Sequence, residues 1–246
     1  MPVRKEAFPV HKYEVDAFGT LAAPALSAYL SEIAGLHAQE LGVGLETLMA
    51  RGITWVLARL RIENPIPVAV GERLEIETWP SGIDRLFALR DFVVRRGDGI
   101  EVARATTQWL LMDLATRKPV RPGELLDPRL PREPQPPVVA LSRAKLPELS
   151  TWQVEKRFHV RYADIDQNLH VTNTSYLAWA IEAMPRELWQ RSRLAAAEVQ
   201  YLAETQYGAA ILSRIASAGE GAFAHAIVRE EDGKELARLA TAWVGR

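Results

Sequence analysis

Phe8-Pro9-Val10-His11-Lys12-Tyr13-Glu14-Val15-Asp16 is answered 150 residues later by Phe158-His159-Val160-Arg161-Tyr162-Ala163-Asp164-Ile165-Asp166, with the apolar and acidic positions in phase. A second pair comes in the same order. Asp98-Gly99-Ile100-Glu101-Val102-Ala103-Arg104 returns as Asp232-Gly233-Lys234-Glu235-Leu236-Ala237-Arg238, and each copy runs on to a tryptophan, Trp109 or Trp243, now 134 residues apart. One short match can arise by chance. Two in order, differing by an insertion in the first copy, indicate a duplicated domain.

Each half reads in the same way: one strand, a helix, then several strands. In the first half Leu26, Leu30, Ile33, Leu36 or His37, and Leu41 recur at helical spacing, and Gly42 supplies a stop. Ile53–Leu57, Leu74–Trp79, Leu86–Arg95 and Glu101–Met112 are β-rich and punctuated by Gly, Pro and Asp. The second half predicts a strand over 157–165, a helix over 174–184 disturbed by Pro185, an extension around 186–193, and strands near 197–205, 210–217, 223–230 and 235–244. A long apolar helix followed by an antiparallel meander buries itself on one face of the sheet, so the fold class is α+β, twice over. Pro128, Pro131, Pro134, Pro136 and Pro137 cannot continue a helix or a central strand. The expected division is therefore 1–127, a Pro-rich linker over 128–148, and 149–246.

The 246 residues are 48% hydrophobic and 25% charged, with a formal charge of −1. A near-neutral balance disfavours a nucleic-acid binder. The absence of cysteine removes disulfides, thiolate catalysis and Cys-type metal sites from this chain. The first twenty residues lack the apolar run of a signal peptide, and no window reaches membrane-spanning length, so a cytoplasmic protein without membrane insertion is expected. His11, His159 and His225 form no metal-ligand spacing, and neither metal nor cofactor is expected.

The chemistry concentrates in Tyr162-Ala163-Asp164-Ile165-Asp166-Gln167-Asn168-Leu169-His170-Val171-Thr172-Asn173-Thr174-Ser175-Tyr176. Read as extended chain, Asp166, Asn168 and His170 share one face, while Ile165, Leu169 and Val171 face the core. A helix comes next, with Asn173 or Thr174 as its cap. Free N–H groups at such a helix start can stabilise negative charge developing on a carbonyl oxygen. At the repeat offset, Asn168 and His170 correspond to Phe18 and Thr20, while Asp166 corresponds to Asp16. The polar set is specialised to the second half; the competing reading is an Asx turn with His170 as a satisfied partner.

The pattern Asp166-x-Asn168-x-His170-Val171-x-Asn173-x-x-Tyr176 resembles the fatty acyl-ACP thioesterase family. Trp55-Val56-Leu57-x-Arg59, Thr78-Trp79-Pro80, Arg90-Asp91 and Thr107-x-Trp109 are similar to that family's N-terminal domain, so the resemblance covers nearly the whole chain. It implies two tandem hotdog domains, each an antiparallel sheet wrapped around a long helix, and hydrolysis of a fatty acyl thioester on acyl carrier protein. It also implies a catalytic set of Asp166, Asn168, His170 and Glu204, the last from Tyr201-x-x-Glu204. Thr205 stands where many plant members carry cysteine, and Thr172 replaces a common asparagine. The expected chemistry is attack by an activated water, with the base role shared between Glu204 and His170.

The resemblance also places the acyl chain in the first half, where Leu26, Leu30, Ile33, Trp55 and Leu57 are candidate substrate-binding residues; ordinary core packing is the alternative for each. Arg85, Arg90, Arg95, Arg96, Arg117, Lys118 and Arg121 offer a basic complement to an acidic carrier protein. Glu182 is a rival carboxylate, better read as an ion pair with Arg186, and His37 reads as a surface or core histidine. An acyl-CoA thioesterase or other hotdog enzyme, and a non-catalytic acyl-binding module, are the alternatives. Both a monomer and a homodimer are open.

Overall fold

The computed structural model describes residues 2–64, 66–124, 133–142 and 144–246. It divides into two units, Met1–Leu141 and Ser142–Arg246. The first contains β1 (Arg4–Pro9), α1 (Ala23–Glu40), a short α2 (Leu45–Met49), β2 (Ile53–Glu63), β3 (Arg73–Asp84), β4 (Phe87–Arg96), β5 (Glu101–Asp113) and a two-residue β6 (Pro119–Val120). The second contains β7 (Val154–His159), α3 (Asn173–Glu182), α4 (Arg186–Arg191), β8 (Ser192–Tyr201), β9 (Ala210–Gly219), β10 (Ala222–Arg229) and β11 (Glu235–Gly245).

Within the first unit the antiparallel order is β1-β3-β4-β5-β2; within the second it is β7-β9-β10-β11-β8. These are the same topology, strand for strand. In each, the helix after the first strand packs on the sheet. Leu26, Leu30, Ile33, Ala34 and His37 form the buried stripe of α1, at the spacing that puts one helical face against strands. Pro24 sits in the first turn, where its missing N–H costs nothing, and Gly42 at φ +71° closes the other end with its N–H on the Gln39 carbonyl. The Thr-x-Trp pair also repeats in detail. Trp109 Nε1 donates to Thr107 Oγ1 at 2.9 Å, and Trp243 Nε1 to Thr241 Oγ1 at 3.1 Å.

Most elements fall near their expected positions, with differences at the ends. β7 stops at His159, after which the chain turns instead of continuing extended to 165. The expected extension after Pro185 is the short helix α4; α2 and β6 had no clear sequence signal. Of the Pro-rich stretch, residues 128–132 and Arg143 lie outside the described residues. The remainder is extended but held down. Gln135 N–H donates to the Ser81 carbonyl and Val139 N–H to Thr106 Oγ1, while the N–H and hydroxyl of Ser142 meet the Glu198 carboxylate. Gly82, at φ +134°, admits this strap: a Cβ there would stand 2.5 Å from the Glu133 carbonyl oxygen. The strap covers the face of the first sheet opposite α1. Residues 90–94 of β4 are accordingly all buried, without the alternation of a one-sided strand.

Candidate active site

Asp166–His170 is a closed turn, not extended chain. The Asp166 N–H donates to the His170 carbonyl at 2.8 Å and the Leu169 N–H to the Asp166 carbonyl at 3.0 Å. One carboxylate oxygen of Asp166 accepts the N–H groups of Asn168 at 2.8 Å and His170 at 3.3 Å. An aspartate closing its own backbone in this way is an Asx turn. Leu169 therefore does not face the core: it lies at φ +63° and is 77% exposed. Asn168 is exposed at the tip and His170 half-buried at the exit.

The first unit builds the same turn 150 residues earlier. Asp16 Oδ1 accepts from the N–H groups of Phe18 and Thr20, and Gly19 takes the left-handed position at φ +75°. Isolated bridges Val15–Leu21 and Ile165–Val171 close the two turns. Behind them, a carboxylate fixes the approach: Glu14 accepts the His11 N–H and Asp164 the Arg161 N–H. The scaffold is common, so the aspartate, Asp16 in one copy and Asp166 in the other, holds backbone in both, while the side chains of Asn168 and His170 have no chemical counterpart in Phe18 and Thr20.

Glu204 lies just beyond β8. The Leu202 and Ala203 N–H groups both bond to the Leu236 carbonyl, and the Val171 N–H reaches the Thr205 carbonyl at 3.4 Å, which lays this segment beside the turn. It brings His170 Nε2 to 3.7 Å from Glu204 Oε2, with the two side chains 37% and 40% exposed. That separation exceeds a hydrogen bond but lies within ion-pair reach of a protonated imidazole. In the first unit the matching bond is Leu21 N–H to the Val68 carbonyl, so Pro67 stands in the place of Glu204.

Two tyrosines tie this segment to α3. Tyr201 OH donates to the Asn173 carbonyl at 3.2 Å and Tyr176 OH to the Ala203 carbonyl at 3.5 Å, and their rings meet edge-to-face at 5.7 Å. Burial raises both phenol pKa values, so both remain donors. Tyr176 was visible in the sequence pattern, whereas the role of Tyr201 required the strand pairing. Thr205 is buried and its hydroxyl finds no partner among the described residues.

The cap of α3 is Thr172, one residue before the expected Asn173, and no side chain caps the helix. The N–H groups of Thr172 and Ser175 are taken by the carbonyls of Asp164 and Thr172. Those of Asn173 and Thr174 have no partner among the described residues, leaving donors beside His170. In α1 the residue matching Thr174 is Pro24, which has no N–H to offer. Buried Asp164 supports the turn from behind. Burial pushes its pKa up, but the Arg161 guanidinium and backbone N–H outweigh that and hold it below the ordinary carboxylate value.

In the first unit, Ser27, Leu30, Ser31, Leu57, Leu60, Phe92, Thr107 and Trp109 line a slot between α1 and the sheet. It encloses about 200 Å³, its open mouth included. No part of it is wide enough to hold a water molecule, so an acyl chain could enter only by parting the side chains that line it. Leu30 and Leu57 line it. Leu26 and Ile33 are fully buried core beside it, and Trp55 donates its indole N–H to the Val43 carbonyl while its ring meets Trp109 edge-on.

Three surface expectations change. Arg90 is buried, with its guanidinium 3.0 Å from His37 Nδ1 and 3.2 Å from Thr78 Oγ1, so it belongs to no docking surface. Burial lowers its pKa to about 10; burial first, and then the Arg90 charge, lowers that of His37 to about 4. Arg95 and Arg96 pair with Glu77 and Asp98. Glu182 bonds Lys156 of β7 at 2.6 Å instead of Arg186, because α3 ends at Glu182 and Arg186 opens a separate helix.

The acyl-ACP thioesterase N-terminal domain model matches residues 2–127, and the C-terminal domain model matches residues 148–245. The chain belongs to the acyl-ACP thioesterase family. That family hydrolyses fatty acyl-ACP thioesters, and its fold is the hotdog. Oleoyl-acyl carrier protein thioesterase 1 of Arabidopsis thaliana, a chloroplastic protein, is 28% identical over 97% of this chain and 75% of its own length. The oleoyl-acyl carrier protein thioesterase of Coriandrum sativum is 30% identical, but the match spans 82% of this chain and 59% of the relative. Among solved structures, an acyl-ACP thioesterase from Bacteroides thetaiotaomicron is 28% identical with a TM-score of 0.87, covering 98% of each chain. The 12:0-ACP thioesterase of Umbellularia californica also has a TM-score of 0.87, at 23% identity over 99% of this chain and 98% of that one, and is similar in fold. No helix among the described residues is long and apolar enough to cross a membrane.

Proposed function

We propose that this chain hydrolyses the thioester of fatty acyl-acyl carrier protein, releasing the free fatty acid and the carrier's thiol, in the cytoplasm. One observation carries the site assignment. His170 and Glu204 meet beside uncapped helix N–H groups in the second unit, while the first unit has Thr20, Pro67 and Pro24 at the matching positions.

Glu204 acts as general base on a water and His170 orients and shares the proton, a task a carboxylate–imidazole pair performs near neutral pH. Such pairs commonly tighten only when substrate is in place, so 3.7 Å suits the role. The water oxygen attacks the thioester carbon. The resulting oxyanion is held by the Asn168 amide and the N–H groups of Asn173 and Thr174, donors whose value grows as charge develops. Collapse expels the thiolate, a good leaving group that needs no strong acid, and the carboxyl product departs. Asp166 is a positioning residue that keeps the Asn168 and His170 backbone in register. The acyl chain occupies the first unit's slot, walled by Leu30 and Leu57, with Leu26, Ile33 and Trp55 behind it. The carrier protein is the macromolecular partner, and a second copy of the chain is not required by this chemistry.

The decisive experiment is thiol release from acyl-ACPs and acyl-CoAs of C8 to C18 chains, comparing wild type with Asn168→Ala/His170→Ala. Turnover that favours acyl-ACP and disappears in the double variant supports reaction, carrier and site together. A preference for CoA removes the carrier assignment. Binding without turnover, indifferent to the double variant, overturns the enzymatic reading.

A further inference from the structure

The two tyrosines beside Glu204 have no chemical counterpart in the first unit. At the repeat offset Tyr176 matches Leu26, and with Pro67 in the place of Glu204, Tyr201 matches Asn64. The backbone beside them is nevertheless built in both copies, since the Leu21 N–H reaches the Val68 carbonyl as the Val171 N–H reaches that of Thr205. A fully buried leucine is therefore enough to carry this segment past the helix. An arginine that helps to hold it is also common to both units. Arg229 pairs with Asp232 and donates to the Glu204 carbonyl at 3.5 Å, and Arg96 pairs with Asp98 in the matching turn of the first unit. What the second unit adds is phenol hydroxyls, and that of Tyr176 is the one at Glu204.

Its placement is specific. The Tyr176 hydroxyl donates to the Ala203 carbonyl at 3.5 Å and lies against the Thr205 N–H, so it meets the peptide group on each side of Glu204. Burial, and then the nearby Glu204 charge, raise the phenol's pKa and keep its proton in place. The ring is 3% exposed and is held edge-on by Tyr201 at 5.7 Å and by Trp179 at 5.4 Å. We infer that Tyr176 is a positioning residue for the reaction: its hydroxyl fixes the two peptide groups flanking Glu204 and thereby aims that carboxylate at the attacking water beside His170. This role rests on the proposed hydrolysis, in which Glu204 is the base. A base must stand within hydrogen-bond reach of the proton it takes, and a small displacement there costs more in rate than one weak hydrogen bond contributes to stability. In the first unit Pro67 leaves no carboxylate to aim, and Leu26 suffices.

The test is a double-variant cycle of thiol release, on whichever acyl-ACP from C8 to C18 wild type hydrolyses fastest. It compares wild type, Tyr176→Phe, Glu204→Gln and the double variant; phenylalanine keeps the ring and removes only the hydroxyl. Tyr176→Phe should lower kcat about tenfold, with KM within about twofold and the melting temperature within about 4 °C of wild type. In the Glu204→Gln background the same substitution should change the residual kcat by less than about twofold, because residues that act as a unit are not additive. A hydroxyl that only supports the fold gives the same factor in both backgrounds. That result, an unchanged kcat in Tyr176→Phe, or a loss confined to KM, overturns the inference and leaves thioester hydrolysis intact. Full activity in Glu204→Gln moves the base elsewhere and overturns the inference together with that assignment. No turnover by wild type on any acyl-ACP or acyl-CoA defeats the proposed function, and Tyr176 then has no reaction to serve.

Discussion

Residues 14–22 and 164–172 form one backbone built twice. The same carboxylate closes each turn, the same left-handed residue comes after it, and the same cross-turn bridge leads into a helix. They differ in the side chains that hang from that frame. Phe18, Thr20, Pro24 and Pro67 in the first unit become Asn168, His170, Thr174 and Glu204 in the second. The comparison teaches that the aspartate belongs to the scaffold and that the chemistry was either added to or removed from a turn that folds without it.

The largest effect should come from the side chains that differ. His170→Ala and Asn168→Ala should each lower kcat/KM by roughly 10²- to 10⁴-fold, while Thr20→Ala leaves it unchanged, as steady-state thiol release will show. Loss of activity in His170→Ala with none in Glu204→Gln would move the base to His170.

The buried histidines set a smaller, pH-dependent difference. His225 lies in β10 facing α3, with Nε2 2.8 Å from Thr241 Oγ1, and burial lowers its pKa to about 4. Its folded pKa is therefore below the ordinary 6.5, so between these values the unfolded chain binds more protons and stability rises with pH. The contribution is complete above pH 6.5 and is lost as pH falls toward 4, amounting to at most about 3 kcal/mol. His225→Gln should flatten that part of the stability profile in denaturant melts. An unchanged slope would mean that the imidazole does not stay neutral in the fold.

Removing the shared carboxylate separates scaffold from chemistry. Asp16→Ala and Asp166→Ala should each cost about 1–2 kcal/mol of stability, as two backbone N–H groups lose a charged acceptor. Only Asp166→Ala should also lower kcat. Equal kcat losses from both would break the assignment of chemistry to the second turn.

The smallest effect concerns the left-handed residue. Leu169→Gly should stabilise the chain by up to about 1 kcal/mol, and Gly19→Ala should cost about as much. No atom lies within 4 Å of a Cβ added at Gly19, so that cost is conformational alone. Opposite shifts in melting temperature will confirm that the two turns obey one backbone rule.

Much of this organisation is legible in the residues. A constant offset of 150 aligned the two turns before any coordinates, and apolar spacing located α1 and the meander. Other readings depended on contacts that sequence does not carry. Apolar and polar residues alternate along 165–171 as they would in a strand, and nothing local distinguishes that from a turn until Asp166 closes on its own backbone. Glu182 and Arg186 have the spacing of a helical ion pair, but Pro185 ends the continuity such a pair needs. Arg90 looked like a surface charge because its burial depends on His37, 53 residues away.

The sequence by itself determined the duplication, the α+β class and the specialisation of the second half, because these are properties of periodicity, composition and the difference between aligned positions. Tertiary structure alone decided that His170 and Glu204 meet and that Tyr176 and Tyr201 hold the segment between them. Those contacts join residues far apart in the chain through strand pairing and helix–sheet packing, and no local preference specifies which side chains that packing brings together.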